Sequence, residues 1–353
     1  MMKAILFSVL LLPALHLAVA QELKLAHLPE PVTNNAVTSL KSRGGVLLFS
    51  FMGMGVKKSW DAVTNNSYYL DPDWDKWYPL RPIPGTAGRL GAGAVAARGS
   101  LFVFGGYVID SQNRGQVVPD VDVYEIGEQR WSRGADIPTP VADAVVAVYR
   151  DRYVYLIGGR GRTGIVSNVQ VYDAENSRWI EATPTPGTAV FGHAGAILDD
   201  TIVYVDGAYR ETSAGQTAVL TSDQCWLGKI NHKDPGKIEW SKLPPHPGAA
   251  RFEIAAGSSE KDRRIYFSGG SDTAHDYSGV GYDGKPAEPS PVTFAFDLKS
   301  AKWELVNDHT PNPTMDTDQL LVIRDNLVTV GGMEKGQQVS ARTTILPLKA
   351  KSK

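Results

Sequence analysis

An all-β, six-bladed propeller closed by its N-terminal strand is the fold this sequence predicts, and three observations predict it. Short runs rich in Val, Ile, Phe and Tyr, most of them ending in a glycine pair, recur at 46–55 (VLLFSFMGMG), 101–106 (LFVFGG), 153–159 (YVYLIGG), 202–207 (IVYVDG), 265–270 (IYFSGG) and 327–332 (LVTVGG). Such residues suit a pleated, half-buried surface. Five tryptophans follow these runs, Trp77, Trp131, Trp179, Trp240 and Trp303, at intervals of 54, 48, 61 and 63 residues. Finally, Pro84, Pro138, Pro186 and Pro247 each lie seven positions after one of the first four, where proline ends a strand and starts a turn.

The elements follow in order. Met1–Lys3, the apolar stretch 4–20 and the small-residue end Ala18-Val19-Ala20 read as a secretory signal peptide, so residues 1–20 are expected to be removed and 21–353 to form one domain. No cysteine follows the apolar run to take a lipid anchor, so the product is expected in the periplasm or secreted, off the membrane. Each repeat then holds four strands: a small-residue strand, the run into glycine, an aromatic strand and the Trp strand. An antiparallel four-stranded sheet repeated radially is a propeller blade. The sixth repeat, 320–348, lacks a Trp strand, and 23–31 (LKLAHLPEP) has the missing strand-then-proline pattern. Pairing 23–31 beside 343–348 would close the ring and remove the open edges.

Composition narrows the function. The 353-residue chain has a formal charge of −2, giving no reason to expect a nucleic-acid partner. A single cysteine, Cys225, excludes an intramolecular disulfide framework and a Cys-rich metal centre. No Gly-Lys-Ser/Thr follows the glycines, so they are not phosphate loops, and no Gly-x-Ser-x-Gly or His-Glu-x-x-His is present. Asp272, His275 and Asp276 are of ligand type, as a polar surface loop often is.

In a propeller the loop entering each first strand and the loop after each second strand open on one face. Asn34, Asn35, Asp143, Asp316, Tyr107 and His275 lie in these loops. From the same loops, Glu211, Glu253, Asp318 and His193 are candidates for proton transfer. Arg89, Arg160, Arg210, Arg251 and Tyr209 are candidates for holding an anionic, hydroxyl-rich ligand, since arginine binds carboxylates bidentately. Arg89 and Arg251 can equally tie blades together, and His193 can be a core imidazole.

The runs LFVFGG…VDVYEIGEQRW and VYLIGG…VQVYDAENSRW resemble the Kelch repeat. The whole chain, with its Leu-x-x-Leu-Pro start at Leu25 and Gly-Gly-Met-Glu near its end, resembles the secreted bacterial N-acetylneuraminate epimerase (sialic-acid mutarotase) family of Kelch propellers. The resemblance implies a cofactor-free sugar mutarotase acting by acid–base anomer exchange on a small acidic sugar. It departs in the fourth repeat, where Ala208 stands at the family's acidic position and Gln216 near its arginine. The alternative is a non-catalytic propeller binding a carbohydrate, another polar ligand or a protein on one face. The galactose-oxidase type shares the propeller, but its second domain and copper histidines have no counterpart here.

Overall fold

The computed structural model describes residues 23–42, 45–317 and 319–348. Residues 1–20, the stretch expected to be a signal peptide, and Asp318 lie outside the described residues. Five four-stranded antiparallel sheets and one three-stranded sheet follow one another along the chain, as blades 1 to 6 at residues 36–80, 93–133, 145–182, 194–242, 255–307 and 321–347. Within each blade the strands pair in sequence order, from the innermost at the axis outward. Additional two-stranded hairpins, such as Ala208–Ser213 with Gln216–Thr221, stand between the second and third blade strands.

The core is divided into slabs between neighbouring blades. Period-two alternation of an apolar strand feeds both neighbours. In blade 2, Leu101 and Val103 pack against Phe49 and Phe51 of blade 1, while Phe102 and Phe104 pack against Val146, Val154 and Leu156 of blade 3. This two-sided burial explains why the second strands read as unbroken apolar runs.

The tryptophans are interblade latches. Each indole N–H donates to a carbonyl on the preceding blade: Trp131 to Arg81, Trp179 to Ala135, Trp240 to Thr183 and Trp303 to Pro244, at 2.7–3.3 Å. Each acceptor lies four residues after the previous blade's tryptophan. Trp77 completes the series by donating to Ala26 at 2.9 Å, so the N-terminal segment occupies the place of blade 6's fourth strand.

That segment is held differently from the other fourth strands. Leu28 N–H donates to the Ala341 carbonyl and Val32 N–H to that of Ser340, while Thr343 donates to His27 Nδ1 and Ala26 O. No ladder runs along 23–31. Apolar burial does the rest: Leu23, Leu25, Leu28 and Val32 fill the slab between Leu321, Ile323, Val328 and Val330 of blade 6 and Val37, Leu48, Leu70 and Trp77 of blade 1.

A cavity of about 1430 Å³ runs down the axis and opens on the face of the first hairpins, walled by Val95, Ala96, Val146, Ala196, Gly257 and Val322. Ion pairs between blades, Arg98–Glu175, Arg263–Asp199, Lys261–Asp325 and Arg324–Asp73, lie on partly exposed side chains. Exposed pairs of this kind contribute little each. Among the described residues no helix is long and apolar enough to cross a membrane.

Candidate functional site

The far end of the axis is built from the entering loops. In each blade one residue of that loop bridges the residue just after the glycine position of the second strand: Thr33 to Met54, Leu90 to Tyr107, Ala142 to Arg160, Phe191 to Ala208, Phe252 to Ser271 and Met315 to Met333. The two sets of loops therefore share one face, as expected. The next residue of each entering loop, Asn34, Gly91, Asp143, Gly192, Glu253 and Asp316, has a left-handed φ of 53–58°. These six form a neck around the axis. Asp143 N–H donates to Gly91 O, Gly192 to Asp143 O, Glu253 to Gly192 O and Asn34 to Asp316 O, at 2.8–3.2 Å. Gly91 has no room for a side chain, since a Cβ there would fall 1.9 Å from Asp143 Oδ1.

Holding Asp, Glu or Asn left-handed costs roughly 1 kcal/mol or more apiece. Here it brings three nearly buried carboxylates, Asp143, Glu253 and Asp316, to one place. Arg160 Nη2 pairs with Asp143 at 3.2 Å and its guanidinium lies 4.2 Å above the Tyr107 ring. Burial lifts the Asp143 carboxyl above the usual range; Arg160 opposes the lift and the Asp316 charge adds to it. Burial works against the Arg160 charge, but Asp143 and Tyr107 carry the net shift upward. Burial likewise raises Tyr107 well above an ordinary phenol, with Asp143 and Glu253 among the charges it feels. On the other side, His275 Nε2 meets Asp316 Oδ1 at 3.0 Å while Nδ1 meets the Thr273 carbonyl at 2.8 Å. Burial opposes the imidazolium, yet Asp316 brings the net shift upward. Asp316 Oδ2 and Arg160 Nε are buried without a hydrogen-bond partner.

The long loop of blade 5 covers this neck. Tyr277 packs with the cluster of Met54, Leu90 and Tyr107 on blades 1 and 2, and the charges of Asp143 and Arg160 act on Tyr282. Lys58 of blade 1 donates to the Ser278 carbonyl at 2.8 Å and to that of Gln337 at 3.2 Å, tying three blades together over the mouth. Beneath the loop, a gap of about 10 Å³ reaches Asp143, His193 and Gln319.

The structure sorts the sequence candidates. Glu253 and Arg160 stand in the neck. Arg210 lies on the exposed hairpin of blade 4, close enough to act electrostatically on Tyr282. Tyr209 is half-buried and Glu211 exposed on the same strand, where Glu211 alternates to the side opposite Arg210. Three candidates do not serve the mouth as expected. Arg89 is buried and spent on Asp120 and Asp122 of its own blade at 2.9 and 2.7 Å. Arg251 donates to the Gly269 and Val292 carbonyls and lies over Phe294, inside blade 5. Both occupy the same repeat position and bolt their blades internally. His193 is buried edge-on against Tyr204 near Gly158 and Gly207, and burial lowers it to about 4, the Ile157 carbonyl opposing, so it stays neutral at pH 7. Asp318 lies outside the described residues. The Asp272–His275–Asp276 stretch is not a metal cluster, since His275 is engaged by Asp316. Asp143, Asp316, Tyr107 and His275 are visible in the sequence only as loop residues, and Tyr282, fourteen residues beyond the strand end at Ser268, carries no sequence signal.

Two repeats depart from the glycine pair. The bridges align Gly106 with Gly53 and Gly207, so the residue before each is Met52 in blade 1 and Asp206 in blade 4, with φ of 55° and 62°. The fourth repeat's pair is therefore Asp206-Gly207, and the first repeat's is Met52-Gly53.

Comparison with known proteins agrees with this architecture. The chain resembles human Kelch-like protein 34, 25% identical over 235 residues, covering 63% of this chain and 33% of that protein. It also resembles zebrafish (Danio rerio) Kelch repeat and BTB domain-containing protein 12, 29% identical over 123 residues, 33% of this chain and 19% of that one. The match to each relative thus spans a third or less of the relative's length. Among solved structures, that of YjhT superposes with a TM-score of 0.72 at 19% identity, over 93% of this chain and 98% of that one, which shows a shared fold. The KLHDC2/KLHL20/DRC7 Kelch-repeats domain model matches residues 36–270, and the chain belongs to the Kelch-repeat propellers.

Proposed function

We propose that the neck beneath the blade-5 loop binds a small acidic sugar and exchanges its anomers. The observation that carries this reading is the pairing of two buried carboxylates in one ring, Asp143 and Glu253, with Arg160 against the first. Anomer exchange needs one acid and one base. Asp143, biased toward its protonated form, would give its proton to the ring oxygen as the bond from that oxygen to the anomeric carbon breaks. Glu253 would take the anomeric hydroxyl proton as the carbonyl forms. Reclosure on the other face returns both protons. Arg160, with Arg210 at the rim, would hold the sugar carboxylate. No cofactor takes part. The blade-5 loop must move to admit a sugar, and Tyr282, 43% exposed, stands at the way in. We also place the protein in the periplasm or outside the cell, on the strength of residues 1–20.

A second reading, a binding propeller without turnover, is favoured by one observation: Asp143 and Asp316 already have Arg160 and His275 as partners. NMR of freshly dissolved single-anomer sugars, N-acetylneuraminate among them, separates the two. Faster exchange with wild type, lost in Glu253→Gln and Asp143→Asn, supports the enzyme. Binding without faster exchange supports the binding module, and neither with any acidic sugar overturns both.

A further inference from the structure

Away from the mouth, blade 4 breaks the rule of its own repeat. At the first glycine position, blades 2, 3, 5 and 6 carry Gly105, Gly158, Gly269 and Gly331, all left-handed. The space there is closed: a Cβ on Gly105, Gly269 or Gly331 would fall 2.1–2.5 Å from a carbonyl oxygen of the next loop. Blade 4 places a fully buried aspartate, Asp206, at this position, with the same left-handed backbone. Backbone strain and a buried carboxylate are both costly, and such outliers gather at functional positions.

The carboxylate faces two other ligand-type groups. His246 Nε2 lies 2.8 and 2.9 Å from its two oxygens, and Cys225 Sγ completes a trio whose donor atoms lie within 4.8 Å of one another. All three residues are nine-tenths or more buried, and no other such trio occurs among the described residues. His246 Nδ1 lies 2.9 Å from the Pro247 carbonyl. A carbonyl only accepts, so Nδ1 carries a proton. One proton then lies between Nε2 and the carboxylate, held by one or the other, in the place a metal ion would take. A backbone carbonyl fixing the far nitrogen of an imidazole is the arrangement that aims a histidine at a metal.

We propose that Asp206, Cys225 and His246 form a zinc site between blades 4 and 5. Carboxylate oxygen, thiolate sulfur and imidazole nitrogen are the three donor types zinc takes. The charge balances: one Zn²⁺ enters, the Cys225 thiol proton and the proton shared between His246 Nε2 and Asp206 leave, and the net charge of the site is unchanged. That balance matters because Arg251, whose own N–H donates to Asp206 at 2.9 Å, leaves a buried guanidinium close by. The site would pin the loop that leads to Glu253 against blade 4.

The test uses the full chain, stripped with a chelator and then refolded with Zn²⁺ or Co²⁺. Stoichiometric zinc by elemental analysis and a sulfur-to-cobalt charge-transfer band are expected. Cys225→Ser should fold, lose the band and hold metal at least ~10-fold more weakly. Asp206→Gly, which restores the repeat's own glycine, should fold and also lose stoichiometric metal. Folded wild type without stoichiometric zinc or without the band, or a band that survives in Cys225→Ser, overturns the site.

Discussion

Gln319 of blade 6 reaches across the axis to Val146 of blade 3, its amide nitrogen donating to the Val146 carbonyl at 3.0 Å. Blades 3 and 6 stand opposite one another, so this one side chain lies across the channel between the hairpin-face cavity and the neck. Leu320 N–H meanwhile joins the Ala256 carbonyl, seating the segment on the free edge of blade 5's inner strand.

Gln319→Ala should therefore cost about 0.5–1.5 kcal/mol of stability, the worth of one hydrogen bond. It should also join the cavity to the neck. Urea unfolding reads the first. A crystal structure of the variant reads the second. A Gln319→Ala crystal structure with the channel still blocked would refute the plug.

Closure depends on apolar burial more than on a ladder. Leu28, 5% exposed, sits in the slab between blades 6 and 1. Leu28→Ala should cost about 2–4 kcal/mol as a core truncation. Thermal or urea unfolding checks it, and an unchanged midpoint would mean that 23–31 does not close the ring.

Trp131 is a half-buried latch, not a fully enclosed core residue: it packs edge-on against Phe51 at 5.7 Å and donates to Arg81. Trp131→Ala should cost about 2–4 kcal/mol. Trp131→Phe, which keeps the ring contact and drops the N–H, should recover more than half of that in the same unfolding assay.

His193 makes stability fall in mild acid. Burial lowers its folded value to about 4, while an unfolded histidine sits near 6.5. Below 6.5 the unfolded chain binds the extra proton, so stability is complete above pH 6.5 and is lost as pH falls toward 4. The loss is of order 3 kcal/mol. His193→Gln should flatten this part of the stability–pH curve. An equally steep decline in the variant would assign it to other groups.

Arg160→Ala should weaken binding of an acidic sugar by roughly 10–100-fold, the worth of a charge-assisted hydrogen bond. The variant should also free Asp143 of its counter-charge. Titration of wild type and variant with N-acetylneuraminate checks this, and equal affinities would place the anion elsewhere.

Period-two apolar runs, glycine pairs and evenly spaced tryptophans determined the blade count, the closure by residues 23–31 and the shared face of the two loop sets. These are local rules repeated from blade to blade, so one chain states them several times over. Residue type could not decide which arginine points where. Arg89, Arg160 and Arg251 are alike in the sequence, but Arg89 and Arg251 find carboxylates or carbonyls within their own blades, while Arg160 lies over Tyr107 beside Asp143. Nor could the sequence place Tyr277 of blade 5 against Leu90 of blade 2, or Asp206 beside His246 forty residues on. Those contacts arise where six blades meet around one axis, and only the closed ring sets the distances between them.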